Sequence, residues 1–159
     1  MAADPHAPTL EDDEAVLAQY AHTLVEAAER VIADWVRWSI ADRAPHLSTE
    51  PQVDTAAARA TVELGAELRT LLSQDIAEQT ENPLQVLRRG VRFATAVLDN
   101  AEVAPTPRDD FARKNFPDDL YDLTPASFAD VHQSLHEPGL VWGAAKAHVH
   151  LRRRREQAS

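Results

Sequence analysis

The chain contains no cysteine among its 159 residues. This absence excludes disulfide scaffolds, thiol catalysis and thiolate metal sites. Glycine is also scarce, with four residues, and aromatic residues make up 6% of the chain. Because alanine, leucine, glutamate and arginine are abundant instead, the composition favours helix over sheet.

Familiar catalytic signatures are missing as well. The sequence has no glycine-rich phosphate loop, no Gly-x-Ser-x-Gly, no His-Glu-x-x-His and no Glu-x-x-His. These patterns mark nucleotide-binding loops, serine hydrolases, zinc peptidases and di-iron carboxylate bundles respectively. We therefore expect a protein without a catalytic site or cofactor, although the sequence leaves an enzyme open.

No apolar run approaches the roughly 20 residues that a membrane-spanning helix needs. The first eight residues have no basic start and no apolar stretch, so they do not resemble a signal peptide. The formal net charge of −10 disfavours a general nucleic-acid-binding surface. We expect a cytoplasmic, acidic protein with neither a membrane nor a nucleic acid as its partner.

Proline residues predict where helices begin, because proline is well tolerated at the first helical position. Five prolines are expected at or near the start of a helix: Pro51, Pro83, Pro107, Pro125 and Pro138. Before three of them lies a residue whose side-chain oxygen can cap the helix: Asn82, Thr106 and Thr124.

The first helix has the strongest periodicity, and we expect it to run from a cap at Thr9 to about Ala44, a length of roughly 50 Å. Its apolar stripe, at spacings of three and four residues, comprises Leu17, Tyr20, Leu24, Ala28, Val31, Trp35 and Trp38. Further helices are predicted from Pro51 or Asp54 to about Gln79 and from Pro83 to about Asn100. Short helices are predicted over 107–115 and 125–131.

The last helix is predicted from Pro138 to about Glu156, with Val141, Ala144, His148 and Leu151 on its apolar face. The expected fold is therefore an all-α antiparallel bundle of about four longer helices, with one or two short helices before the last. We expect a flexible tail over 1–9, a single domain over 10–156 and a frayed end over 157–159.

Histidine offers one alternative, a small metal- or ligand-binding bundle and possibly an enzyme. His132 and His136 are four residues apart and would share a face on a continuous helix. His22, His46 or His148 could supply a third ligand. Because Pro138 follows so closely, we expect the helix that carries His132 to end before His136, and we predict no metal site.

Arginine offers a second alternative, a nucleic-acid-associated regulator. Arg152, Arg153, Arg154 and Arg155 form a basic run near the end of the last helix, where positive charge is favoured by the helix dipole. These side chains could contact phosphate, but the acidic run Glu11–Glu14 offers them partners, either within the chain or on a second copy.

The preferred hypothesis is a non-enzymatic interaction or regulatory protein that self-associates or binds a protein partner. The tryptophans Trp35, Trp38 and Trp142 are candidate interface residues together with the four arginines. Trp35 is expected in the core. Because the first helix should outreach its shorter neighbours, part of its stripe would need cover from another copy.

Overall fold

The computed structural model describes residues 10–75, 78–79, 81–107 and 116–158, with side chains from Asp12 onward. In this part of the chain the regular structure is helical and no strand occurs. The α-helices are α1 (Leu10–Arg43), α2 (Pro51–Ser73), α3 (Pro83–Arg88), α4 (Val91–Asn100), α5 (Phe128–Val131) and α6 (His136–Ala158). Short 3-10 turns occupy Pro45–Leu47 and Gln133–Leu135. The predicted all-α fold is confirmed.

Two of the helix starts predicted from proline are confirmed, at Pro51 and Pro83. Asn82 forms a reciprocal capping box, in which its Oδ1 accepts from the Gln85 N–H at 3.0 Å and its own N–H donates to Gln85 Oε1 at 2.7 Å. Two groups that the first turn of a helix leaves without a partner are thereby satisfied.

Two other starts are displaced from their predicted positions. Helix α5 begins at Phe128 rather than at Pro125, because Ser127 caps it and Asp130 completes the capping box. Helix α6 begins at His136, which leaves Pro138 as its third residue, still within the first turn where a missing N–H costs little. The predicted cap at Thr9, the tail over 1–9 and, apart from Pro107, the helix predicted over 107–115 lie outside the described residues.

Two helices are shorter than predicted. Helix α2 ends at Ser73, where the polar sequence Ser-Gln-Asp leads into an extended Gln74. The helix expected over 83–100 is divided into α3 and α4 by a turn at Arg89 and Gly90.

Loss of the α3 cap should be measurable. Changing Asn82 to alanine is expected to lower the free energy of unfolding by about 1 kcal/mol, because the Gln85 N–H loses its side-chain acceptor. Urea unfolding followed by circular dichroism measures this change. Asn82→Asp is the matched control, since aspartate caps about as well as asparagine. Equal losses in both variants would contradict the capping role.

Helix α1 is the centre of an antiparallel bundle. Arg37, near its end, bonds Asp54 in the first turn of α2 at 3.1 Å, and Glu29, earlier in α1, pairs with Arg69, later in α2. These two helices therefore run in opposite directions. Arg153, near the end of α6, pairs with Glu14 at the start of α1 and with Asp75 just after α2, the latter at 2.9 Å. The ends of three helices therefore meet at one arginine.

The core lies between α1, α2 and the α3–α4 pair. The middle of the α1 stripe is buried there, so no second copy is needed to cover it. The side chains with 0 or 1% exposure include Ala28, Ile32, Val36, Ile40, Val53, Leu64, Leu68, Val86, Leu87 and Leu98. The stripe is not covered along its whole length, since Tyr20 is 38% exposed and Trp38 is 61% exposed, as expected for a first helix that outreaches its neighbours.

The segment that precedes α5 is packed against this core. The Tyr121 hydroxyl is buried and lies 2.5 Å from Asp99 Oδ1 and 3.1 Å from the Val103 carbonyl oxygen. This hydrogen bond to Asp99, together with burial, raises the pKa of Tyr121 to about 12. Arg88 donates to the Pro125 carbonyl at 2.9 Å, which holds the segment from its other side. Together these bonds hold the segment against α3 and α4.

Candidate interaction surface

Helix α6 has two apolar faces, and the one that packs inward is not the one predicted. Its buried residues are Gly139, Trp142 and Val149. Trp142 packs with Ala21 and Leu24 of α1 in a small cluster separate from the main core. The predicted inward face, Val141, Ala144, His148 and Leu151, is exposed. Helix α6 is therefore rotated about its own axis relative to the predicted orientation, and this rotation is the main difference between the predicted and observed bundles.

The observed rotation of α6 has a physical cause. It buries the largest side chain of the helix, Trp142, and therefore removes the most apolar surface from water. It also places Gly139 against Phe128, where an added Cβ would lie 2.5 Å from the ring atom Cδ2. Packing that close requires glycine, and the sequence supplies it at this position.

The outward side of α6 carries four exposed apolar residues, Leu140, Ala144, Ala147 and Leu151, which we call the outer seam. Their spacings of four, three and four residues are those of the a and d positions of a heptad. Leu140 is 61% exposed and Leu151 is 52% exposed. Such a stripe normally faces another helix.

Apolar surface continues from the outer seam towards α1. Val141 and Tyr20 line one groove of about 560 Å³ between α1 and the start of α6, together with the polar Thr23 and His136. Of the eight large hydrophobic residues that are exposed in the described part of the chain, five lie on α6 or the first half of α1: Val16, Tyr20, Leu140, Val141 and Leu151. Clustered apolar exposure of this kind is typical of interaction sites.

The three tryptophans divide between core and surface. Trp35 and Trp142 are each 4% exposed, so neither is part of an interface in this structure. Lys146 lies over the Trp142 ring with its Nζ 5.0 Å from the centroid, and partial burial lowers the pKa of this lysine. Trp38 is 61% exposed and is the one candidate tryptophan that reaches the surface.

The arginine run contains two residues that form ion pairs and two that are exposed. Arg152 donates to Asp13 Oδ2 at 2.8 Å, and Arg153 pairs with Glu14 and Asp75, so both hold α6 against the rest of the bundle. Arg154 and Arg155 are exposed, and neither has an ion-pair partner among the described side chains. Of the two possibilities that the sequence left open, partners within the chain are found for two of the four arginines.

The histidine pair does not come together on one helix. His132 precedes the Gln133–Leu135 turn and caps it, since its Nδ1 accepts from the Ser134 N–H at 3.1 Å, whereas His136 is the first residue of α6. His148, predicted in the core, is exposed, with its Nε2 3.9 Å from Asp13. Among the residues that the structure describes, no three His, Asp or Glu side chains are grouped as a metal would require.

A third charged cluster, at the turn between α3 and α4, is paired internally. Arg89 bonds Glu81 at 2.8 Å and Glu67 at 3.1 Å. The bond from Arg89 lowers the pKa of Glu81, although burial opposes the shift. These ion pairs join the turn after α3 to α2 and to the segment that precedes α3.

No protein-family model matches the chain, and neither a curated protein nor a solved structure matches it significantly. Within the described residues, no helix is both long and apolar enough to span a membrane. The surface feature that does stand out is the outer seam with its extension over Val141 to Tyr20 and Val16. An arrangement of this kind can bind the apolar face of another helix.

Proposed function

We propose that the protein is a non-enzymatic interaction protein that self-associates through the outer seam of α6. The observation that carries this proposal is the exposed heptad spacing of Leu140, Ala144, Ala147 and Leu151 on the side of α6 opposite Trp142. In a helix that needed only to pack against α1, those positions would be polar. Cover by another helix accounts for them.

The other two candidate functions have less support. A metal- or ligand-binding role for His132 and His136 would require rings that the structure places on different elements. A phosphate-contacting role for the arginine run would have to break the ion pairs of Arg152 and Arg153 with Asp13 and Glu14. The outer seam, in contrast, is available without any rearrangement of the bundle.

The expected affinity is modest. Full burial of an exposed leucine side chain contributes about 1.5–3 kcal/mol. Leu140 and Leu151 are 61% and 52% exposed, so each would contribute a little over half of this, and a symmetric seam would bury both from each copy. The sum is comparable to the roughly 4–15 kcal/mol that association costs in lost freedom of motion. Because the seam does little more than offset this cost, we expect weak self-association, with a dissociation constant no tighter than about micromolar.

Charges on the outer seam should abolish self-association. Changing Leu140 and Leu151 together to glutamate is expected to give a monomer, because each dimer would then bury four unpaired carboxylates. Sedimentation velocity over about 1–200 μM, a range that brackets a micromolar constant, measures the change. Circular dichroism checks that the helices persist.

Val62→Glu is the matched control for this variant. Val62 is 71% exposed on α2, away from the seam, so the same substitution should leave self-association unchanged. A wild-type protein that sediments as a monomer at every concentration would contradict the proposed function.

A further inference from the structure

We infer that two copies pair through antiparallel α6 helices, centred between Ala144 and Ala147. The inference rests on the proposed function and specifies its partner and geometry. The seam has the same spacing in both directions along the helix, four, three and four residues. A second copy in the reverse direction therefore sets Leu140 on the partner's Leu151 and Ala144 on the partner's Ala147.

The side chains suit such a two-fold contact. Alanines at the centre let the two helix axes approach closely, and leucines at both ends fill the space on either side. A two-fold interface uses the same patch on both copies, so the patch must be complementary to itself. The order large, small, small, large meets this requirement, and the outer seam faces away from α1, so no described element blocks a second helix.

Charge distinguishes the antiparallel from the parallel orientation. The next a and d positions beyond the leucines are Glu137 and Arg154, both exposed. Neither has an ion-pair partner in the part of the chain that the structure describes. Antiparallel pairing sets Glu137 opposite the partner's Arg154 at both ends of the seam. Parallel pairing would set glutamate against glutamate and arginine against arginine, which is repulsive.

Charge reversal tests the orientation. Glu137→Arg alone and Arg154→Glu alone should each weaken self-association roughly fivefold or more, because each replaces two attractions per dimer with two repulsions. The variant that carries both changes should regain the wild-type dissociation constant, since the pairs are restored with their signs exchanged. Sedimentation equilibrium gives the three constants. A double variant no tighter than either single variant would overturn the antiparallel seam.

Disulfide trapping provides an independent test of the orientation. Because the chain has no cysteine of its own, only the introduced cysteines can form a disulfide. In an antiparallel seam, Leu140 of the two copies would be separated by roughly 16 Å along the helix axis, too far for a disulfide. Leu140→Cys chains alone and Leu151→Cys chains alone should therefore give no covalent dimer on oxidation, whereas their mixture should give one. Covalent dimers from either variant alone would show parallel pairing.

The experiments distinguish a failure of the proposed self-association from a failure of the antiparallel orientation. A monomeric wild-type protein would refute self-association and the orientation together. A wild-type dimer that the two leucine-to-glutamate changes abolish, but in which each cysteine variant cross-links by itself, would retain the proposed function and refute the antiparallel orientation alone.

Discussion

Trp35→Ala should lower the free energy of unfolding by about 3–5 kcal/mol, the usual range for truncating a fully buried tryptophan. The side chain is 4% exposed and packs where α1, α2 and the turn at Gly90 meet. Removing the indole leaves a cavity between two rigid helices, which can close only in part. Urea unfolding monitored by circular dichroism measures the loss.

Trp38→Ala is the matched control for Trp35→Ala. Trp38 lies less than one turn further along the same helix but is 61% exposed, so its loss should change stability by less than about 0.5 kcal/mol. Both variants lose the same number of atoms from the same helix. Similar losses of stability in the two would mean that α1 is rotated about its axis relative to the described structure.

Gly90→Ala should destabilise the protein by about 1–3 kcal/mol, through overpacking. A Cβ added at this position would lie 2.6 Å from Trp35 Cζ3 and 2.7 Å from Leu64 Cδ1. Both neighbours belong to the core and have little room to move. The backbone of Gly90 has φ −63°, an ordinary helical value, so close packing rather than conformation excludes a side chain here.

Gly143→Ala is expected to change the stability of the protein in the opposite direction. A Cβ at Gly143 would meet no atom within 4 Å, and alanine favours helix over glycine by about 1 kcal/mol. This variant should therefore be slightly more stable than the wild type, as measured by thermal unfolding. A loss of stability at Gly143 comparable to that at Gly90 would contradict the packing assigned to both glycines.

Local signals in the sequence were sufficient to predict much of the fold. The starts of α2 and α3 depend on proline and on the Asn82 cap, all within a few residues of one another. The extent of α1, which ends at Arg43, follows from the apolar periodicity between Leu17 and Trp38 and from Pro45 just beyond the helix. Features of this kind are decided by neighbouring residues, so a single sequence can reveal them.

The rotation of α6 could not be predicted in the same way. Periodicity identifies an apolar face, but α6 has two, and the choice between them depends on Trp142, on the fit of Gly139 against Phe128 and on the ion pairs of Arg152. Each of these contacts joins distant parts of the chain. Two residues of the outer seam, Ala144 and Leu151, belong to the face that the sequence predicts as core, whereas Leu140 and Ala147 do not.

The exposure of the candidate interface residues could not be predicted from the sequence either. Tryptophan and arginine are common at interfaces, but residue type does not show exposure, and Trp142 proved to be buried. The turn that divides α3 from α4 was also missed, because Gly90 is required there by the nearby indole of Trp35, 55 residues earlier by sequence number. Only the folded arrangement brings these groups together.

The meeting of three helix ends at Arg153 has a consequence for the order of folding. Its bond to Glu14 joins residues 139 positions apart, so α6 can dock only after nearly the whole chain has closed into a loop, whereas α1 and α2 are neighbours in sequence. Once docked, α6 has three buried residues along its 23-residue length. Helix α2, of the same length, has eight. We therefore expect α6 to detach from the folded protein before α1 and α2 separate.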